Sequence, residues 1–132
     1  MKEEIVLFET AKLAREKGFI DKDVDSFYND DGTFELNPID YKDKKEVLSK
    51  EFSLRYDIYL APTQSLLQKW LRDKHGVHIT PIYWDLDYKV YSYLIDTTFS
   101  KYNIDVDDNT EYTTYEEALE IGLQEALKLI KL

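Results

Sequence analysis

From Thr114 to Lys131 the apolar positions follow the period of a helix. Ala118, Leu119, Leu123, Ala126, Leu127 and Ile130 recur at steps of three and four, and Glu116, Glu120, Gln124, Lys128 and Lys131 fall on the other faces. Ahead of this stripe, Thr114-Tyr115-Glu116-Glu117 has the capping-box form. In that form a Thr hydroxyl and a Glu side chain satisfy the first backbone donors of a helix, so the helix is expected to begin there. Gly122 lies inside the stripe. A glycine within a helix costs about 1 kcal/mol relative to alanine, which predicts close approach by another element at that point.

Two further helices are predicted. One starts after Ala61-Pro62-Thr63, with Thr63 as its cap, and runs through Arg72 to a stop at Gly76, burying Leu66, Leu67, Trp70 and Leu71. The other uses Phe8, Ala11 and Ala14 and ends at Gly18, with Lys12, Arg15, Glu16 and Lys17 in water.

Period-two patterns supply the strands. Ser26 to Tyr28 and Thr33 to Leu36 flank Asn29-Asp30-Asp31-Gly32, whose Asp-Gly step suits a hairpin turn that needs a positive φ. Val77 to Trp84 and Tyr88 to Ile95 read as a second hairpin around Asp85-Leu86-Asp87, rich in β-branched and aromatic residues. Pro81 places the first of these strands at an edge or a bulge, because proline cannot donate to the ladder. A short strand is expected at Glu111 to Thr113, a short helix at Lys44 to Phe52, and an extended piece at Tyr56 to Leu60. Hairpin-length connections without a βαβ rhythm predict an α+β fold, a mainly antiparallel sheet built from hairpins with about three packed helices. No repeat, low-complexity tract or Pro/Gly/Ser linker interrupts residues 1–132, so one cooperative domain is expected.

Composition narrows the chemistry. With 43% apolar residues, the 132-residue chain can bury a core without staples, and no apolar run approaches the roughly 20 residues of a membrane helix. The start, Met1 to Phe8, is acidic and lacks a cleavable apolar region, so the expectation is a cytoplasmic protein rather than a secreted one. Cysteine is absent, which removes disulfides, thiolate metal sites and cysteine nucleophiles. A formal charge of −10 repels phosphate backbones, so no direct binding of nucleic acid is expected. The same charge suits a basic protein partner, or an acidic mimic that occupies a nucleic-acid-binding protein.

Oxygen-rich loops raise the question of calcium. Asp105, Asp107 and Asn109 stand at loop positions one, three and five, and Glu116 at position twelve, as in an EF-hand loop. Position six is Thr110 where the sharp turn wants glycine, and the residues before Asp105 read as strand and loop instead of an entering helix. A solvated acidic loop is the competing reading. His75 and His78 are the only histidines, and Gly76 breaks any shared helical face between them. His75 then reads as a cation or donor at a helix C-terminus, and His78 as a strand residue. No Gly-x-Ser-x-Gly elbow occurs, and glycines at 18, 32, 76 and 122 cannot form a phosphate loop. The usual catalytic signatures are therefore missing, and a non-enzymatic role is favoured over an enzyme with an unfamiliar site.

The eleven tyrosines are unevenly spread, and Tyr83, Trp84, Tyr88, Tyr91 and Tyr93 cluster in the second hairpin. Alternation sets Tyr88, Val90 and Leu94 on one face of the strand and Tyr91, Tyr93 and Ile95 on the other. If helices cover one face only, the other presents rings to a partner; the alternative is that helices or a second copy of the chain cover both.

Three stretches resemble a known family. They are Phe8-Glu9-Thr10-Ala11-Lys12-Leu13-Ala14 with Gly18-Phe19, Ala61 to Arg72 followed by His78-Ile79, and Tyr115 to Glu120 running into Gly122 to Ile130. Together they resemble short proteins of no assigned activity encoded in phage and prophage-like regions of gut Bacteroidota. The resemblance implies an accessory role, binding a host or phage protein, and carries no catalytic residue over.

Overall fold

The structure is a computed structural model that describes residues 4–21, 24, 26–36, 58–85, 90–97, 104–105 and 112–131. The fold is α+β, with antiparallel sheets and three helices among the described residues. Contacts divide the chain into two compact units, Ile5–Thr63 and Met1–Glu4 with Gln64–Leu132. No linker composition marks this division in the sequence.

The Ile5–Thr63 unit holds α1 (Phe8–Glu16), β1 (Ser26–Tyr28), β2 (Phe34–Leu36) and β3 (Tyr59–Leu60). Thr10, Ala11 and Ala14 are the buried side of α1. The helix stops because Gly18 adopts φ +87°, a left-handed conformation open to a residue without Cβ. There the Gly18 N–H donates to Arg15 O and the Phe19 N–H to Ala14 O, the Schellman pattern, and Phe19 turns inward to 4% exposure. Lys12 and Arg15 do not simply extend into water as expected. Lys12 Nζ lies 5.2 Å from the centroid of the Phe8 ring, and the Arg15 guanidinium carbon 4.7 Å from that of Tyr59. Their stems cover apolar surface while the charges sit over aromatic faces.

The sheet of this unit has the order β2-β1-β3, all antiparallel, with Tyr28 opposite Phe34 and Phe27 opposite Leu60. The expected hairpin turn is present. The Asn29 N–H donates to Thr33 O at 2.9 Å and the Gly32 N–H to Asn29 O at 2.9 Å. Asp31 Oδ1 accepts from the Thr33 N–H at 2.9 Å. Hydrogen bonds from the Thr33 hydroxyl and then its backbone hold the Asp31 carboxyl below the usual carboxylate range. The helix expected at Lys44 to Phe52 lies outside the described residues.

The second unit holds α2 (Gln64–His75), β4 (Val77–Asp85), β5 (Val90–Thr97), β6 (Ile104–Asp105) and α3 (Tyr115–Leu129). Leu67 and Leu71 of α2 are fully buried, whereas Leu66 and Trp70 are only half-buried. In α3, Thr114 is the N-cap and its Oγ1 accepts from the Glu117 N–H at 3.1 Å, as the capping box predicts. The Glu117 carboxylate takes its bond from the Thr113 hydroxyl, also at 3.1 Å.

Glu120 corrects the sequence reading. It is 5% exposed instead of solvated, because the first residue of α2 supplies an amide donor: Gln64 Nε2 reaches Glu120 Oε1 at 3.0 Å and Glu116 O at 2.8 Å. A buried carboxylate needs such a donor to be tolerated.

The strands run antiparallel in the order β4-β5-β6, and β6 was not foreseen. On one face of the sheet lie Val77, Ile79, Pro81 and Tyr83 of β4, opposite Thr97, Ile95, Tyr93 and Tyr91 of β5. α3 lies across this face and α2 packs against α3 and β4. The other face presents His78, Thr80 and Ile82 beside Ser92, Leu94 and Asp96, all half-buried or exposed.

Tyr91 exchanges both of its backbone hydrogen bonds with Tyr112, so its polar groups turn away from β4. The period of two gives Tyr93 the same sense, and its partner Pro81 therefore points its nitrogen out of the sheet, where no donor is required. No helix of the described residues is long and apolar enough to cross a membrane.

Candidate functional site

The exposed aromatic surface lies at one end of the helix-covered face, where the sheet meets the start of α3. Tyr91 anchors it, opposite Tyr83 on β4 and paired with Tyr112 on its other side. The Tyr91 N–H donates to Tyr112 O at 2.6 Å and the Tyr112 N–H to Tyr91 O at 2.9 Å. Of the strand expected at Glu111 to Thr113, Tyr112 forms this bridge, and Glu111 lies outside the described residues. The bridge delivers the chain to Thr114, and the cap then fixes Tyr115 as the first residue of α3.

Three rings follow from this backbone. Tyr83 and Tyr91 meet edge to face at 5.1 Å between centroids, and Tyr91 and Tyr115 stand almost perpendicular, at 87° and 6.4 Å. Tyr83 is 42% and Tyr115 43% exposed, with Tyr91 half-buried between them. Beneath them, Tyr93 and Tyr112 pack at 6.1 Å and are 4% and 9% exposed. A register shift between Tyr83 and Asp85 puts a bulge directly beside the Tyr83–Tyr91 pair. A bulge sharpens the local twist and re-aims neighbouring side chains, and it ends the regular pairing here.

Of the five aromatic residues singled out in the sequence, Tyr83 and Tyr91 belong to this surface, and Tyr93 belongs to the core beneath α3. Trp84 is the extra residue of the bulge in β4, and Tyr88 lies outside the described residues. The exposed rings emerge at the margin of the face that the helices cover, and not on the opposite face. Sequence reasoning missed Tyr112 and Tyr115. The available signal was Tyr115 itself, a large ring at the first helical position and off the apolar stripe that starts at Ala118.

Of the calcium pattern, the structure describes two residues. Asp105 belongs to β6 with its backbone opposite Leu94, and Glu116 is exposed in the first turn of α3. Asp107 and Asn109 lie outside the described residues. Among the described residues, no three His, Asp or Glu side chains gather into a group that could hold a metal ion.

His75 closes α2, and its ring packs edge to face on Trp70 at 4.7 Å. Burial, and then the charge of Lys74, hold its imidazole below the usual histidine range. Of the two roles expected at a helix C-terminus, cation or donor, this shift disfavours the cation. Its Nε2 is buried with no hydrogen-bond partner among the described residues.

Compared with protein-family models, curated proteins and solved structures, the chain matches none of them.

Proposed function

We propose that this protein is a non-enzymatic interaction module, a cytoplasmic accessory factor that binds a host or phage protein through Tyr83, Tyr91 and Tyr115. The observation that carries this reading is the set of three edge-packed rings, two of them over 40% exposed, with Tyr91 on a strand paired on both sides, Tyr83 on the neighbouring strand and Tyr115 at the start of a capped helix. Tyrosine combines a large apolar face with a polar tip and few torsions, so ordering it against a partner costs little entropy. Such rings are enriched where interfaces concentrate their binding energy. The resemblance of three helical segments to short phage and prophage proteins supports an accessory role. The charge of −10 supports a protein partner over a phosphate backbone.

The test uses immobilised wild type and a Tyr83→Ser/Tyr115→Ser variant whose melting temperature matches it, both exposed to host lysate. A protein retained by the wild type and lost by the variant supports the reading. Equal retention by both, or turnover of a small substrate, overturns it. A melting temperature raised by millimolar calcium would favour the competing reading of a small-ligand or calcium-binding protein, since a ligand at 100 times its dissociation constant adds about 2.7 kcal/mol.

A further inference from the structure

The molecule carries two aromatic clusters that differ in one respect. In the Ile5–Thr63 unit, Phe8 packs edge to face on Tyr28 at 5.5 Å and on Tyr59 at 5.6 Å, and this cluster is covered by the chain's own cations, Lys12 over Phe8 and Arg15 over Tyr59. In the other unit, among the described residues, no Lys or Arg lies over Tyr83, Tyr91 or Tyr115. Beside Tyr115, at the start of α3, the charge is negative. Glu116 and Glu117 follow Tyr115 directly and are exposed, and Glu117 is held in place by the Thr113 hydroxyl. In sequence, the stretch from Tyr102 to Glu117 contains six carboxylates (Asp105, Asp107, Asp108, Glu111, Glu116 and Glu117) and no Lys or Arg.

A tyrosine ring presents a negative face to whatever lies above it, and a cation there gains from the ring and from nearby carboxylates together. An anionic segment would meet repulsion from Glu116 and Glu117, and a purely apolar one would leave their charges unanswered at its border. Resting on the interaction reading above, we infer that the segment bound at Tyr83, Tyr91 and Tyr115 is a Lys- or Arg-bearing stretch of the partner protein. Its cations lie over the rings and pair with Glu116 and Glu117. The chain's net charge of −10 also steers such a segment toward the surface before contact.

The experiment titrates the full chain with a fluorescent Gly/Arg peptide and with a Gly/Gln peptide of equal length. The Arg peptide should bind more tightly, and its affinity should fall with added salt as screening shortens the reach of the charges. Tyr83→Leu/Tyr115→Leu keeps the apolar area and the net charge but removes the ring faces. It should weaken Arg-peptide binding about fivefold per ring, while Tyr83→Phe/Tyr115→Phe keeps the affinity within about twofold. Equal binding by the Leu variant would show attraction to bulk charge alone and overturn the inference, as would equal affinity for the Gln peptide.

Failure of this inference is distinguishable from failure of the interaction reading. If a partner is captured in a tyrosine-dependent manner but its bound segment lacks Lys and Arg, only the assignment of a basic segment falls. If no tyrosine-dependent partner is captured at all, both fall. A dimer in sedimentation that the Leu variant abolishes would put a second copy on the rings and overturn the assignment to a separate partner.

Discussion

Gly122 seats α3 against the ring of Tyr93: a Cβ at position 122 would stand 3.2 Å from the ring's Cγ and 2.8 Å from Ile79 Cγ2. The helix approaches the sheet more closely than any side chain at 122 allows. Gly122→Ala is expected to lower stability by about 1 kcal/mol, because an overpacking cost of about 1–3 kcal/mol exceeds the gain of about 1 kcal/mol in helix propensity. Denaturant unfolding measures this. Combined with Ile79→Ala, which removes the nearest methyl, the loss should be smaller than the sum of the single losses.

Gln64 is the polar fastening between α2 and α3. Gln64→Leu removes the donor to Glu120 Oε1 and to Glu116 O, and should cost about 2 kcal/mol because a buried acceptor loses a partner. In a Gln64→Leu/Glu120→Leu double variant, the second substitution should cost much less than it does alone, read from urea midpoints.

Thr114 determines where α3 begins and so where Tyr115 stands. Thr114→Ala removes the acceptor of the Glu117 N–H and should cost about 1 kcal/mol, whereas Thr114→Asp should retain most of the stability. Circular dichroism melts of the two variants check the difference.

Because burial and Lys74 lower the folded-state value of His75, the unfolded chain binds more protons as the pH falls through the ordinary histidine value of about 6.5. The neutral ring's contribution is complete above that pH and is lost as the pH drops toward the folded-state value. His75→Phe is expected to flatten this part of the stability profile and leave it unchanged near pH 8. The difference between the two unfolding curves across that window is the measurement.

The helices were readable because their signals are local. Thr114 and Glu117, Gly18, and the apolar stripe with Gly122 each fix a cap, a stop or a close approach within a few residues. The hairpins were readable for the same reason: Asn29 to Gly32 marks the turn of the first, and the β-branched and aromatic runs on either side of Asp85-Leu86-Asp87 mark the paired strands of the second. Pairings between distant residues were not readable. Nothing near Gln64 names Glu120, which lies 56 positions away, and nothing in Arg15 names Tyr59. The surface was half legible for this reason. Tyr83 and Tyr91 share a hairpin, but Tyr112 and Tyr115 join them only through a backbone bridge that closes across a long stretch of sequence.

Pro81 has a consequence for how copies of this chain meet. Among the described residues β4 has β5 as its strand neighbour, and the nitrogen of Pro81 faces out from the open side, where it offers no hydrogen to an arriving strand. With the bulge at Trp84 three residues further on, that border is a poor template for the ladder of an ordered aggregate. At this border, self-association by strand addition is disfavoured by the covalent structure of a single residue, which should keep the protein dispersed at concentrations where a bare edge would seed fibres.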